Sequence, residues 1–322
     1  MQPLACAQAI PPILTGPQVI YTLIYVVPFY LSSTTRPSRT LSRDAPSVIR
    51  ARITSVSLTC VVCSNITVVI LTWQGQATYG EAFHTMGYWP VGLPETGKCL
   101  LLTAILFSGP LYETLIDHRA WRDWLSMQPM KELFSEWTML RNIIAGPLTE
   151  EVLFRSASVP LMLVARTSVT RTIFLSPIIF GLAHVHHFYE FRLTHPQVPA
   201  AAGVVRSLVQ FAYTSLFGAY ATFLYLRSGS LLAIFAVHAF CNVMGLPRFW
   251  GRVEPALSGD DVFRSGATEI DRKIRAAAAA ARTPSVAWSV VYYVLLVGGA
   301  VGWWRNLGAL TESANALVPI DI

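Results

Sequence analysis

Apolar residues gather into eight stretches along the chain, at about 10–32, 54–73, 99–115, 143–165, 172–187, 202–226, 229–246 and 285–304. A helix needs about 20 mostly apolar residues to cross the hydrocarbon core of a bilayer. Polar segments separate the stretches at 33–53, 74–98, 116–142, 188–201 and 247–284. The pattern predicts an all-α, polytopic integral membrane protein with about eight transmembrane helices. Residues 1–322 are expected to form a single membrane-embedded domain. The third stretch is short and contains Pro110, so a kink or tilt is expected there. Segment 116–142 mixes Trp, Leu and Phe with alternating charge, which predicts an amphipathic helix at the interface. An alanine run at 276–281, between Arg275 and Arg282, reads as a surface helix. No basic residue precedes Arg36 and no small-residue cleavage site is evident, so the first stretch reads as a retained span.

Composition agrees. Hydrophobic residues make up 53% of the 322 and charged residues 13%, with a mean hydropathy of +0.47. An average soluble domain carries roughly 25% charged residues, so disorder, a coiled coil and most ordinary soluble enzymes are excluded. The net charge of +6, from 24 Lys and Arg against 18 Asp and Glu, gives a pI near 9.2. With 33–53, 116–142, 188–201 and 247–284 on one side, that side holds 17 basic residues and the other holds 5. This is a positive-inside asymmetry. It predicts those loops to be cytosolic and both termini to be non-cytosolic. Topology accounts for the excess charge, and no nucleic-acid partner is needed. Of the five cysteines, Cys60, Cys63, Cys99 and Cys241 lie in or beside apolar stretches, which is no disulfide framework.

Charge inside a span costs a few kcal/mol and marks function by default. Glu150, Glu151, Arg155, His184, Arg206 and His238 qualify, with Asn142 and Asn242 as polar company and Glu113 near the end of the third span. Gly146-Pro147 suits the first turn of a helix. Glu151 and Arg155 are then i,i+4 neighbours able to pair, while Glu150 is rotated roughly 100° away. Glu151 is expected to be a structural clamp. Glu150, less directly neutralised, is free to rise in pKa on burial and to act as a general base. A helix-start acidic pair is the plainer alternative.

His184, which closes Phe180-Gly-Leu-Ala-His184, can titrate near neutral pH and hold a water or a metal; an interfacial histidine with no chemistry is the alternative. His186 and His187 follow it, but the spacing fits no standard zinc motif and there is no His-Glu-x-x-His. No metal and no cofactor are expected. His238 and Asn242, at i,i+4 in the seventh span, present two hydrogen-bond donors on one face, suited to a developing oxyanion or to gluing helices. Cys60-x-x-Cys63 reads as packing, and Asn65-Ile-Thr67 sits in mid-span, out of reach of glycosylation. Gly298-x-x-x-Gly302 reads as helix packing.

In order, Glu-Glu-x-x-x-Arg, Phe-x-x-x-His and His-x-x-x-Asn, each on a separate apolar stretch, resemble the signature of the type II CaaX prenyl proteases. These are the Ras-converting endopeptidases of the endoplasmic reticulum. Gly146-Pro-Leu-Thr-Glu-Glu151, Phe180-Gly-Leu-Ala-His-Val-His-His187 and Gln210-Phe-Ala-Tyr-Thr-Ser-Leu-Phe-Gly218 carry the resemblance. The motif region spans about 141–246; the rest resembles the family only in hydropathy. The resemblance implies Glu150 as general base with His184 as its partner on a water, His238 and Asn242 at the oxyanion, and Glu151 with Arg155 in support. It implies removal of the aaX tripeptide from prenylated CaaX proteins such as Ras-type small GTPases, with farnesyl or geranylgeranyl chains lodged among helices. It also implies a multi-pass protein of the endoplasmic reticulum membrane. A polar intramembrane cavity would bring water to the bond. The predicted topology sets all three motifs at one depth, toward the cytosolic side. The alternatives are a membrane transporter, for which matched inverted repeats are not evident, a non-catalytic scaffold for prenyl tails, and a metalloprotease using the histidines.

Overall fold

In the computed structural model, residues 16–116, 125–253 and 286–320 are described. The alanine run and most of segment 247–284 lie outside them, as do the first 15 residues. Among the described residues every regular element is helical. In chain order they are α1 (Gly16–Val26), α2 (Pro28–Leu31), α3 (Pro46–Trp73), α4 (Tyr79–Thr85), α5 (Leu93–Leu106), α6 (Ser108–Ile116), α7 (Gln128–Ser135) and α8 (Trp137–Met139). A π-helical segment π1 (Leu140–Ala145), α9 (Gly146–Glu151), a second π segment π2 (Val152–Ala157) and α10 (Ser158–Val164) follow without a loop. Then come α11 (Val169–Ala183), α12 (His186–Thr194), α13 (Ala200–Ser228), α14 (Leu231–Met244) and α15 (Val286–Thr311).

The protein is an all-α, multi-pass membrane protein. Among the described residues, three helices are both long and apolar enough to cross a bilayer: α3, the α11–α12 run over Val169–Thr194, and α15. Of the other apolar stretches, the sixth is one long helix, α13, of 29 residues, and the rest are shorter or broken. The third splits at Phe107 into α5 and α6, with Pro110 in the first turn of α6, where its missing N–H costs nothing. The fourth alternates α and π turns, and α14 has 14 residues, about 21 Å of helix. The polar segment 188–201 is not all loop, because α12 runs to Thr194. Within segment 116–142 lies α7, with 117–124 outside the described residues.

Two compact units are distinguished, residues 1–100, 136–240 and 311–322 in one and 101–135 and 241–310 in the other. In the first unit, α3 turns Cys60, Cys63, Thr67 and Leu71 inward while Leu58, Val61, Val62, Ile66 and Val69 stay exposed, the helical period expected of a one-sided interface. Cys60 and Cys63 join Tyr21, Leu153, Phe154, Ala157, Leu161, Phe180 and Ala183 in one core. Lipid removes the hydrophobic drive between helices, so polar side chains tie them. The Tyr21 hydroxyl meets Thr67 Oγ1 at 3.0 Å, Thr67 donates to the Ala157 carbonyl at 2.9 Å, and Ser156 donates to the Met86 carbonyl at 2.6 Å. α13 ends on Gly229 at φ +59°, the left-handed cap that glycine adopts without strain. Past α15 the chain returns to this unit: Leu317 N–H donates to Leu226 O, and Ser313 and Asn315 both bond the Glu95 carboxylate. In the second unit, Ser108 donates to Leu295 O at 2.7 Å and Arg248 pairs with Glu113 at 2.9 Å.

Candidate active site

Glu150 and Glu151 close α9, between two π segments. Pro147 has no N–H to give, and the helix re-registers just before it: Gly146 N–H bonds Arg141 O, five residues back. The expected helix start at Gly146-Pro147 is thus the start of an α segment inside a longer helical run. Single π turns inside helices recur at functional sites, and here they bracket the two acids.

The neighbouring carboxylates occupy different surroundings. Glu151 is fully buried; its Oε1 accepts from Arg155 Nη1 at 2.9 Å and from His238 Nδ1 at 2.7 Å. Glu150 keeps a side-chain exposure of 21%, and its Oε2 lies 3.9 Å from His238 Nε2, beyond direct hydrogen-bond range. His238 therefore stands between the two acids, one ring nitrogen toward each. A carboxylate accepts, so Nδ1 carries the proton given to Glu151. Nε2 is left facing Glu150.

Arg155, also fully buried, is held by more than its ion pair. Its guanidinium lies 4.6 Å from the Phe180 ring centroid and 5.9 Å from that of Phe217, within cation–π range. Phe217 in turn meets the His238 ring at 4.5 Å. Gly218 makes this approach of α13 possible. A Cβ there would stand 2.8 Å from Pro177 Cβ, 3.1 Å from Arg155 Nη2 and 3.3 Å from Phe180 Cδ1. Neither Phe217 nor the role of Gly218 was legible from charge patterning. Their signal was only the Gln210–Gly218 likeness.

Phe180 explains the spacing of the second motif. Its ring packs on Phe154 and on His184, each at 4.9 Å, while its carbonyl takes His184 Nδ1 at 2.9 Å. A carbonyl can only accept, so His184 carries its proton on Nδ1 and presents Nε2 as a free acceptor. His184 sits at the break between α11 and α12. Among the described residues, His184 and Glu150 make no direct hydrogen bond to each other. His186 Nδ1 turns to Ala183 O and His187 Nδ1 to Glu190, so the three histidines point at separate partners. Among the described residues no three His, Cys, Asp or Glu side chains converge as a metal site. Cys60, read as packing, donates its thiol to the Thr149 carbonyl at 3.3 Å, next to Glu150. Asn242 follows His238 by one turn on α14 and belongs to the second unit. Arg206 lies over Phe191 and Asn142 accepts from Arg141, both away from the acids' direct contacts.

Comparison with known proteins places the chain among like sequences. Residues 132–244 match the family described as "Type II CAAX prenyl endopeptidase Rce1-like". The probable CAAX prenyl protease 2 of Schizosaccharomyces pombe is 41% identical over 233 residues, covering 72% of this chain and 81% of that protein. CAAX prenyl protease 2 of Homo sapiens is 34% identical over 233 residues, covering 68% and 69%. The Saccharomyces cerevisiae protein of that name is 26% identical over 313 residues, covering 90% and 93%. No solved structure matches the chain.

Proposed function

The chain belongs to the type II CaaX prenyl endopeptidases, and from that premise we propose how its paired acids cut the substrate. It is a CaaX endoprotease held in the membrane by several helices. The substrates are prenylated proteins ending in Cys-a-a-X, Ras-type small GTPases among them, met at the endoplasmic reticulum membrane. The bond cut is the amide after the lipidated cysteine, and the aaX tripeptide leaves.

One observation carries the assignment of roles: adjacent carboxylates with unequal partners. Glu151 is consumed by Arg155 and His238, whereas Glu150 is partly exposed and, among the described residues, has no cation within hydrogen-bond range. Glu150 is the general base. It takes a proton from a water that the free Nε2 of His184 helps to orient, and the hydroxide oxygen bonds to the cysteine carbonyl carbon. The carbonyl electrons move onto its oxygen, which His238 and Asn242 stabilise. Collapse of this oxyanion breaks the C–N bond, and Glu150 returns its proton to the leaving amine. His238 serves the oxyanion from its Nε2 side, its Nδ1–H being already committed to Glu151.

The test uses pure protein in lipid vesicles with a farnesylated Cys-a-a-X peptide, detecting the tripeptide by mass. Wild type releases it and Glu150→Ala, still folded, does not. Release that survives Glu150→Ala removes the base from this scheme. Lipidated peptide bound but never cut by wild type means a prenyl-tail scaffold.

A further inference from the structure

Nothing in the scheme above uses Glu190, yet three cationic or imidazole donors converge on its carboxylate. Its side chain is 6% exposed. A carboxylate removed from water loses several kcal/mol of solvation unless donors replace it. Three do: Arg43 Nη1 at 3.2 Å, Arg52 Nη2 at 3.0 Å and His187 Nδ1 at 3.1 Å. They come from the α2–α3 connection, from α3 and from α12. Arg52 extends the tie, giving Nε and Nη2 to Thr35 O at 3.0 and 2.8 Å and covering the Phe29 ring at 5.3 Å.

The node reaches His184 through His187. α12 begins two residues after His184, and its first turn has no side-chain cap. The carboxylate of Glu190 fixes the His187 ring by its Nδ1. That ring lies 4.1 Å from His186 and 6.0 Å from His184, centroid to centroid. His184 has the Phe180 carbonyl at its Nδ1 and the His187 ring 6.0 Å from its own. Its ring sits at a helix break, where backbone hydrogen bonding alone gives little orientation.

We propose that Glu190 is a positioning residue for the reaction: through His187 it sets the orientation of the His184 ring, and it anchors that ring to Arg43 and Arg52 of the segment entering α3. The proposal rests on the assignment of His184 as the partner of Glu150 on water. A residue placed behind the reacting groups shapes turnover and leaves substrate capture alone. Losing such support costs about 10- to 100-fold in activity. The charged and titratable groups around the carboxylate are Arg43, Arg52 and His187 in direct contact, with His184, His186 and Tyr30 beyond them.

Glu190→Gln keeps the shape and removes the charge; its amide nitrogen cannot accept from a guanidinium. The expected result is kcat lower by about 10-fold or more with KM within about twofold. In 15N-histidine-labelled protein in nanodiscs, the His184 imidazole signal shifts or splits. The NMR arm needs no turnover, so it decides the proposal even if wild type fails to cut the farnesylated peptide; that failure would count against the reaction scheme alone. Should Glu190→Gln not fold, His187→Asn retains an N–H for Glu190 and removes the ring, and the same loss of kcat with an altered His184 signal is expected. A kcat within about twofold of wild type, or an unmoved His184 signal, in a folded variant overturns the proposal.

Discussion

Arg155→Met breaks the buried pair at the centre of the site while keeping most of the side-chain volume between Phe180 and Phe217. Glu151 is then a carboxylate at zero exposure with His238 as its remaining partner. Removing one member of a buried ion pair costs about 3–5 kcal/mol. The lost cation–π contacts, at 4.6 and 5.9 Å, fall within that range and are not added to it. Against a total stability of about 5–15 kcal/mol, the variant is expected to melt roughly 10 °C lower, on the scaling of about 2–4 °C per kcal/mol. Glu151→Leu combined with Arg155→Met removes both charges. Glu151 Oε2 and Arg155 Nε and Nη2 have no hydrogen-bond partner among the described residues, so the native pair is incompletely compensated, and an apolar replacement recovers most of the loss. Activity does not return, because His238 Nδ1 has lost its acceptor. Thermal unfolding in detergent micelles, followed by circular dichroism, reads the first quantity and peptide cleavage the second. The reasoning is refuted if Arg155→Met costs under about 1 kcal/mol, or if the double variant is as unstable as the two single losses added.

Gly218→Ala forces a methyl group against the rigid Pro177 ring and the Arg155 guanidinium. Overpacking of this kind costs about 1–3 kcal/mol, read as a lower melting temperature together with reduced cleavage; unchanged melting would show that α11 and α13 part without penalty. At α4, the Thr78 backbone N–H and hydroxyl both donate to the Glu81 carboxylate and hold it below the usual carboxylate range. A carboxyl depressed in the folded state contributes stability above its unfolded pKa and loses it as pH falls through the folded one. Amide protection in α4 should therefore drop between neutral pH and pH 3 after correction for intrinsic exchange, and Glu81→Gln should flatten that drop.

Local spacing carried the parts of the site that a single helix makes. Glu151 and Arg155 at i,i+4 pair as expected from sequence, and the Phe-x-x-x-His spacing brings the Phe180 carbonyl to His184 on one helix. What joins different helices left no such trace. Glu190 lies in a segment read as polar connection, and the arginines that bury it are 138 and 147 residues away. No periodicity couples positions so far apart. His238 shows both cases: its place in a span marked it for chemistry, but its position between two carboxylates depends on how α14 meets α9.

The helix breaks were equally hidden, and they bear on why the site is where it is. Glu150 and Glu151 lie between two π turns, and His184 lies between α11 and α12. Each irregularity departs from the regular i→i−4 ladder, and lipid cannot satisfy a backbone group left over. Side chains add donors at these places: Cys60 donates to Thr149 O, which also takes the Val152 N–H, Thr67 donates to Ala157 O, and His184 donates to Phe180 O. A break in a membrane helix is stable only where such donors, or water, can reach it. On this reasoning Cys60 and Thr67, silent in any reading of charges, help to hold the irregular run that carries Glu150 and Glu151.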